Sequence, residues 1–383
     1  MKILKTIIAA TVGLVGGPPA VADPEDEGRK IPKPHPPGIC EETLGPQIEV
    51  PAGLPDDPAI PALKAIREEG LASILPATLL MGAPVETSLR GYTPGSRATI
   101  EARAVGRRVA IKAYAEAEDS TEEAALYEAF AAVGLVSDAG VRVPPLLAWR
   151  PDLRLLVIGW LEGPSAHELI ERGEGRRAGE LAARWLQRAA SLTIKLGAPF
   201  GAPRMLRRSR KWVANLGAAD PTLGTAATAL IGSLERTLPA EGEPHLIHGT
   251  LYSRHVLDLG DAAGVIDWQR SAQGPLELDA GMFLASIGRL GLVHEQSATE
   301  AVRAANAFRR AIAPYVEERA LAWHHASALL RLTDKFVSHR RNNWLAGAHP
   351  LLNEAARVAA PLDERCSNGG EPIHARDQRE RVL

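Results

Sequence analysis

The chain has 383 residues, of which 45% are hydrophobic, 23% charged and 4% aromatic. This length and this apolar content exclude a wholly disordered chain and allow two domains, or one domain with two lobes. A formal net charge of −2 gives no general reason to expect nucleic acid as a partner, and two widely separated cysteines exclude a zinc finger and a disulfide-rich scaffold.

Residues 1–22 have the layout of a secretory signal peptide. Lys2 and Lys5 precede an apolar run from Thr6 to Val15, and the small residues from Ala20 to Ala22 resemble a cleavage site. A short buried strand is the alternative. The run is too short for a membrane-spanning helix, so no membrane span is predicted.

Two further segments flank the part that is expected to fold. Residues 23–57 are rich in proline and charge and predict an extended linker. The stretch from Ala59 to Ser73 then predicts a short amphipathic helix. At the other end, residues 363–383 are charged and predict a disordered tail.

Between these segments the hydrophobic pattern changes from strands to helices. From Thr87 it predicts two or three antiparallel strands, with turns at Pro94-Gly95 and at Gly106, and further strands at Val141 and at Arg154–Trp160. A helix is predicted to follow an N-cap at Ser120 or Thr121, and long helices are predicted after Gly163, for example at Ala178–Leu196 and Ala301–Pro314. The sequence thus predicts an α+β chain of two lobes, a small antiparallel β N-lobe at residues 58–162 and a larger helical C-lobe at residues 163–362.

One candidate motif is Val109-Ala-Ile-Lys112, which precedes the predicted helix and its glutamates. A lysine at the end of a strand, held by a glutamate on a helix, can present a fixed positive charge to the phosphates of a nucleotide. The alternative is an ordinary solvated lysine.

A second motif spans some thirty residues. It comprises His245-Leu-Ile-His248-Gly, then Gly264-Val-Ile-Asp267-Trp, and then Asp279 near the start of an apolar helix. A loop between short strands, followed by an aspartate at a strand end, is how kinase-like folds assemble a base and a metal ligand. A metal cluster of His245, His248, His255 and Asp267 is an alternative, although structural hydrogen bonding by these histidines is the simpler interpretation.

Taken in order, these motifs resemble the aminoglycoside phosphotransferase and choline kinase family, distant relatives of the protein kinases. The resemblance runs from about Leu89 to Ala356 and rests on GYTPGSRAT, VAIK, LLVIGWLEG, HLIHG, GVIDW and GPLELDAGMFLA. It implies a two-lobed protein-kinase-like fold with a nucleotide-binding N-lobe and a C-lobe that holds the catalytic loop and the acceptor pocket.

The resemblance also implies roles for individual residues. Lys112 would contact the nucleotide phosphates and pair with Glu123, with Glu128 as the second choice. The backbone of Trp160, Leu161 and Glu162 would bind the adenine. Asp267 would bind the metal ion, His248 would be the structural histidine of the catalytic loop, and Asp279 would brace that loop.

Two positions depart from the family pattern. Thr250 occupies the position of the catalytic aspartate, and a threonine hydroxyl cannot act as a general base at neutral pH, a loss that typically costs about 10²–10⁴ in rate. His255 occupies the position of a metal-binding Asn or Gln, and imidazole suits Mn²⁺ or Zn²⁺ better than Mg²⁺. The alternative is that the second metal site is lost.

The predicted function is ATP- and metal-dependent phosphoryl transfer to a hydroxyl of a small molecule, with activity weakened or lost. The alternative is a pseudokinase that acts as a binding or scaffold module. The fold favours a cytoplasmic location, and the signal-like segment leaves export as the alternative. The sequence does not identify the acceptor.

Overall fold

The computed structural model describes residues 53–367, with gaps at 77–78, 80–84, 105 and 339–343. The predicted signal peptide, residues 23–52 of the predicted linker and residues 368–383 of the predicted tail lie outside the described residues. No helix in the described part of the chain is long and apolar enough to cross a membrane.

The described strands form three sheets. They are β1 (Glu86–Thr93), β2 (Arg97–Ala104), β3 (Arg107–Tyr114), β4 (Val141–Arg142), β5 (Leu146–Arg150), β6 (Leu155–Gly159), β7 (His245–Ile247), β8 (Val256–Asp258), β9 (Ala263–Val265) and β10 (Ala272–Gly274). The main sheet is antiparallel with the order β1-β2-β3-β6-β5, while β10 pairs with β7, and β9 lies between β4 and β8.

Helices dominate the second half of the chain. In the described ranges they are α1 (Pro61–Glu69), α2 (Leu71–Ile74), α3 (Ala117–Ala132), α4 (Ala166–Glu171), α5 (Gly175–Ala189), α6 (Ala202–Ala219), α7 (Pro221–Arg236), α8 (Leu276–Val293), α9 (Ala298–Ile312), α10 (Glu318–Ser338) and α11 (Trp344–Ser367). The predicted α+β class is confirmed, with an antiparallel sheet in the N-terminal region and helices in the C-terminal region.

The main sheet separates two layers of apolar side chains, because neighbouring residues of a strand point to opposite faces. On one face Ile100 and Ile111 pack with Leu63 of α1. On the other face Ile158 packs in the same core as Phe130 of α3. Since Lys112 follows Ile111 in β3, the lysine lies on the face that meets α3.

The turns predicted at Pro94-Gly95 and Gly106 are confirmed, because they join β1 to β2 and β2 to β3. Asp57, the last residue of the predicted linker, is buried beneath the first of these turns. Its carboxylate accepts hydrogen bonds from the Tyr92 hydroxyl at 2.9 Å and from the backbone N–H of Gly95 at 2.6 Å. The segment that precedes the sheet therefore holds the β1–β2 turn.

Two helix predictions were wrong in detail. The helix predicted over Ala59–Ser73 is divided by Gly70 into α1 and α2. α3 begins at Ala117 rather than after an N-cap at Ser120 or Thr121, and the hydroxyls of these two residues donate to the carbonyl of Ala117 at 2.8 and 2.9 Å. The earlier start places Glu118 and Asp119 in the first turn, where the helix dipole favours negative charge.

The helical region is built around α8, which is buried along most of its length. α5 ends at Ala189 rather than at the predicted Leu196, and the backbone that follows pairs with β10: the N–H of Gln273 donates to Ala198 O at 3.0 Å. α11 continues to Ser367, past Asp363, where the predicted tail begins. Asp363 pairs with Arg236 of α7 at 3.1 Å.

Candidate functional site

The lysine of β3 forms a buried ion pair with α3. Lys112 Nζ lies 2.5 Å from Glu123 Oε1, and the two residues are 5% and 4% exposed. Tyr114, two residues along β3, donates its hydroxyl to the second oxygen of Glu123. Glu128, the second choice from sequence, is exposed on the opposite side of α3 from this cluster.

Asp267 completes this cluster from the C-terminal half of the chain. Its Oδ1 lies 3.5 Å from Lys112 Nζ and accepts a hydrogen bond from Gln269 Nε2 at 3.0 Å. Burial alone would lower the pKa of Lys112, but the charges of Glu123 and Asp267 outweigh it, and this pKa is raised. Burial would likewise raise the pKa of Asp267, yet Lys112 holds it well below its usual range. Both groups are therefore charged at neutral pH.

The backbone at Asp267 adopts φ = +70°, in the left-handed region. Few residues other than glycine adopt this conformation, although aspartate is among those that tolerate it. The carboxylate, whose side chain is 31% exposed, is therefore aimed by an uncommon backbone conformation at the end of β9. Such outliers persist only where the surrounding structure enforces them.

The loop after β7 is held in place by Asp279 of α8. The Asp279 carboxylate accepts the backbone N–H of His248 at 2.6 Å and that of Gly249 at 2.8 Å, and Trp185 Nε1 also donates to it at 3.3 Å. His248 Nε2 lies 2.8 Å from the carbonyl of Ile266, so the histidine ties this loop to the segment that carries Asp267. Asp279 and His248 therefore hold this loop by hydrogen bonds, and the roles that the resemblance implies for them in catalysis stay predictions.

Gly249 must be a glycine for two reasons. Its φ is +74°, and a Cβ at this position would lie 2.2 Å from the carbonyl oxygen of Arg270. The close approach of the two backbones sets the path of the chain from His248 into Thr250.

Thr250 is buried in this loop. Its Oγ1 lies 3.4 Å from His248 Nδ1. Because His248 Nε2 faces a carbonyl and must carry the proton, Nδ1 is left as an acceptor for the threonine hydroxyl. Threonine at this position can donate or accept a hydrogen bond, but it cannot hold a proton as a carboxylate would.

His255 lies between the loop and Asp267. Its Nδ1 donates to the carbonyl of Thr250 at 2.9 Å, and its Nε2 is 3.4 Å from Asp267 Oδ2. Burial, followed by the charge of Arg254, lowers the pKa of His255 well below its usual value. In the neutral imidazole Nε2 then carries a lone pair, which faces an anionic carboxylate oxygen.

The segment after β6 contains Trp160, Leu161 and Glu162, the predicted adenine-binding residues. The guanidinium of Arg108 stacks over the Trp160 ring at 3.8 Å from its centroid, and its Nη1 lies 3.0 Å from both carboxylate oxygens of Glu162. The end of β6 is thereby fixed to β3.

Sequence reasoning missed the buried residue Glu101 of β2. It pairs with Arg90, with Arg103 at 2.9 Å and with Arg108 at 2.5 Å. Glu101 lies opposite Ala110 of β3, on the face of the sheet that carries Lys112. The sequence signal that could have found it is a single glutamate in a strand that lies between two strands with arginines. Although burial opposes ionisation, the arginines lower the pKa of Glu101 to about 2.

The four-residue metal cluster considered from the sequence is not assembled. His245 begins β7 and is partly exposed. Within the described ranges, no group of three or more His, Cys, Asp and Glu side chains is arranged to hold a metal ion. Asp267 and His255 are brought together as a pair.

Comparison with protein families identifies one that matches most of the folded part of the chain. A family model described as the phosphotransferase enzyme family (APH) matches residues 89–323, more than half of the chain. No curated protein matches the sequence.

Two solved structures illustrate the similarity in fold. A thermostable mutant of aminoglycoside phosphotransferase APH(4)-Ia, in a ternary complex with AMP-PNP and hygromycin B, is 14% identical with a TM-score of 0.54, covering 80% of this chain and 98% of its own. Choline kinase LicA from Streptococcus pneumoniae is 12% identical with a TM-score of 0.51, covering 78% of this chain and 99% of its own. By the extent of the family match, the chain belongs to the phosphotransferase enzyme family.

Proposed function

We propose that the protein transfers the γ-phosphoryl group of ATP to a hydroxyl of a small molecule. The observation that carries this proposal is the buried Lys112–Glu123 pair with Asp267 beside it. A lysine held by a glutamate and facing an aspartate is the arrangement that positions the phosphates and the metal ion in phosphoryl transfer. Lysine suits this position because its charge is compact.

ATP as the phosphoryl donor is supported by the fold. The related APH(4)-Ia structure is a complex with AMP-PNP. Here Lys112 would contact the phosphates, and the backbone of Trp160, Leu161 and Glu162 would contact the adenine. ATP use favours a cytoplasmic location, with export as the alternative.

Mg²⁺ or Mn²⁺ would be held by Asp267 and His255. A lone pair on His255 Nε2 and an anionic oxygen of Asp267 face each other at 3.4 Å, and a cation placed near both would satisfy both. Mg²⁺ is commonly held by one or two protein carboxylates, with phosphate oxygens and water supplying its other ligands, and Mn²⁺ accepts imidazole more readily. When bound, the ion would neutralise charge on the phosphates.

The remaining residues would position the reactants. In the reaction the bond between Pγ and the ADP oxygen breaks, a bond forms between Pγ and the acceptor oxygen, and the acceptor loses its proton. With Thr250 in place of a carboxylate, that proton passes to water or to a phosphoryl oxygen. Because the transition state of phosphoryl transfer is loose, positioning by Lys112 and Asp267 can sustain transfer at a rate lowered by about 10²–10⁴.

The second candidate function is a pseudokinase that binds a partner without transferring a phosphoryl group. The buried Thr250, hydrogen-bonded to His248, is the observation that favours it. The two candidates differ in turnover: a pseudokinase, whether or not it binds ATP, would release no ADP.

Thermal unfolding of the full chain tests the nucleotide site. We expect ATP at about a hundred times its Kd in Mg²⁺ to stabilise the protein by about 2.7 kcal/mol, and the same ATP concentration in Mn²⁺ to stabilise it more. Lys112→Met should abolish this stabilisation. The matched control is Lys64→Met, which removes an exposed lysine of α1 that is 3.9 Å from Glu68. No stabilisation by ATP with either metal would overturn the proposal.

Turnover is measured next, as ADP release with a panel of hydroxyl acceptors. ADP release by the wild type that disappears in Asp267→Asn would support the transferase. ADP release only after Thr250→Asp and His255→Asn are combined would support the pseudokinase.

A further inference from the structure

The turn between β1 and β2 has its backbone donors already in use. Pro94 has no N–H, the N–H of Gly95 donates to the Asp57 carboxylate at 2.6 Å, and the N–H of Ser96 donates to the carbonyl of Thr93 at 3.0 Å. Turns that bind phosphate do so through backbone N–H groups that point at the anion. Since the N–H groups of residues 94–96 are absent or already bonded, a phosphate beside this turn has to be contacted by side chains.

Asp57 holds the turn in place from the side of α1. One of its carboxylate oxygens accepts both the N–H of Gly95 and the hydroxyl of Tyr92, the latter at 2.9 Å. From β3, the N–H of Ala115 donates to the carbonyl of Ser96 at 2.7 Å. The turn is therefore attached on two sides, and the residue that follows it has a fixed backbone position.

The residue that follows the turn is Arg97, at the start of β2. Arg97 pairs with Tyr114, and Thr99 pairs with Lys112, so Arg97 and Lys112 lie on the same face of the sheet. Diagonal neighbours of this kind are about 7–8 Å apart, a distance that long side chains span. One chain of phosphate groups can therefore contact both cations.

The charge of Arg97 reaches the candidate site. Burial would raise the pKa of Asp267, but the charge of Lys112, and less strongly that of Arg97, lowers it. Arg97 also interacts with other protein groups, as Lys112 does with Glu123. Because an arginine has five N–H donors, a protein partner leaves donors for a phosphate oxygen.

We propose that Arg97 is a second cationic contact for the phosphates of the nucleotide, and that Asp57 is a positioning residue that fixes the turn before it. This inference rests on the proposed phosphotransferase function. It assigns the phosphate contacts at this turn to a side chain and not to the backbone. Arginine suits the position because its fork of donors can bind two phosphate oxygens at once.

Isothermal titration calorimetry of the full chain with ATP in Mg²⁺ tests the role of Arg97. Arg97→Met should weaken the binding of ATP about tenfold or more without lowering the midpoint of thermal unfolding. Arg97→Lys should recover part of the affinity, because it keeps the charge and loses only the fork. Arg176→Met is the matched control, since that arginine of α5 is 80% exposed.

Asp57→Asn tests the positioning role. Both oxygens of Asp57 accept hydrogen bonds, whereas one side of an asparagine amide is itself a donor, so this variant loses at least one of them. We expect the affinity for ATP to fall several-fold. In combination with Arg97→Met, the variant should cause no further loss, because Asp57 acts through Arg97. Asp56→Asn is the control, since that neighbouring carboxylate is 87% exposed.

Each other outcome contradicts a stated part of the inference. Equal affinity for ATP in the wild type and Arg97→Met, or no recovery in Arg97→Lys, would overturn the role of Arg97. Tighter binding in Asp57→Asn would show that the released N–H of Gly95 binds phosphate, and effects that add in the double variant would overturn the positioning role. A wild type that binds no ATP would overturn the proposed function, and this inference with it.

Discussion

The buried pair of Lys112 and Glu123 makes a sharp prediction for stability. Removing one partner leaves the other charge buried without compensation, whereas removing both leaves two neutral side chains beside the partly exposed Asp267. We therefore expect Lys112→Met and Glu123→Gln each to destabilise the protein, and the double variant to cost much less than the sum of the two.

The magnitude follows from the burial and the contacts. Both side chains are at least 94% buried, and their atoms are 2.5 Å apart. Breaking such a pair costs about 3–5 kcal/mol. Lys112→Met should lie near the lower value, because Tyr114 still donates to Glu123. Glu123→Gln should also lie there, because Asp267 remains 3.5 Å from the lysine. The double variant should be more stable than additivity predicts by at least about 2 kcal/mol.

The assay is equilibrium unfolding in urea, followed by tryptophan fluorescence, for the wild type, both single variants and the double variant. The exposed pair of Lys64 and Glu68 provides a matched cycle, for which we expect a coupling of about 0.3–0.5 kcal/mol. If each single variant lowers the free energy of unfolding by less than about 1 kcal/mol, or if the effects of the two substitutions add in the double variant, then Lys112 and Glu123 do not compensate each other's buried charge.

Three further predictions concern catalysis, pH and the backbone. Thr250→Asp should raise phosphoryl transfer about 10²–10⁴-fold, measured as ADP release, whereas Thr250→Asn should not; equal rates in the two variants would exclude a base at this position. The arginines hold the pKa of Glu101 at about 2, below its usual 4.5, so its stabilisation is present above pH 4.5 and lost as the pH falls toward 2. The difference in unfolding free energy between the wild type and Glu101→Gln should shrink over that range, and a constant difference would contradict the ion pairs. Gly249→Ala should lower the Tm in scanning calorimetry more than Gly260→Ala, because both glycines have positive φ but only the first meets a carbonyl oxygen at 2.2 Å. Equal decreases would show that the close contact is relieved without cost.

Local patterns were sufficient to predict much of the N-terminal region. Alternation and turn residues predicted β1, β2 and β3, because a strand's period and the preference for glycine in tight turns are properties of a few neighbouring residues. Helix ends were predicted less well. α5 stops at Ala189, and the backbone that follows pairs at Ala198 with Gln273, 75 residues further along the chain, a contact that no local signal reports.

In the candidate site, too, local motifs predicted some features and contacts between distant residues decided others. The motifs suggested Lys112, Glu123 and Asp267 as a set, but the choice between Glu123 and Glu128 depended on which face of α3 packs against β3. The Glu101 network was missed because a charged residue in a strand usually faces solvent. The burial of Glu101 depends on three arginines, one each from β1, β2 and β3, which come together only in the folded sheet.

The sequence by itself determined the type and order of most of the secondary structure and suggested which residues could carry phosphoryl-transfer chemistry, because periodicity and motifs depend on short stretches of chain. Only the tertiary structure decided which of those residues meet. Lys112 and Asp267 are 155 residues apart in the chain and 3.5 Å apart in space. Asp57 meets the β1–β2 turn for the same reason: contacts between distant segments are set by how whole sheets and helices pack.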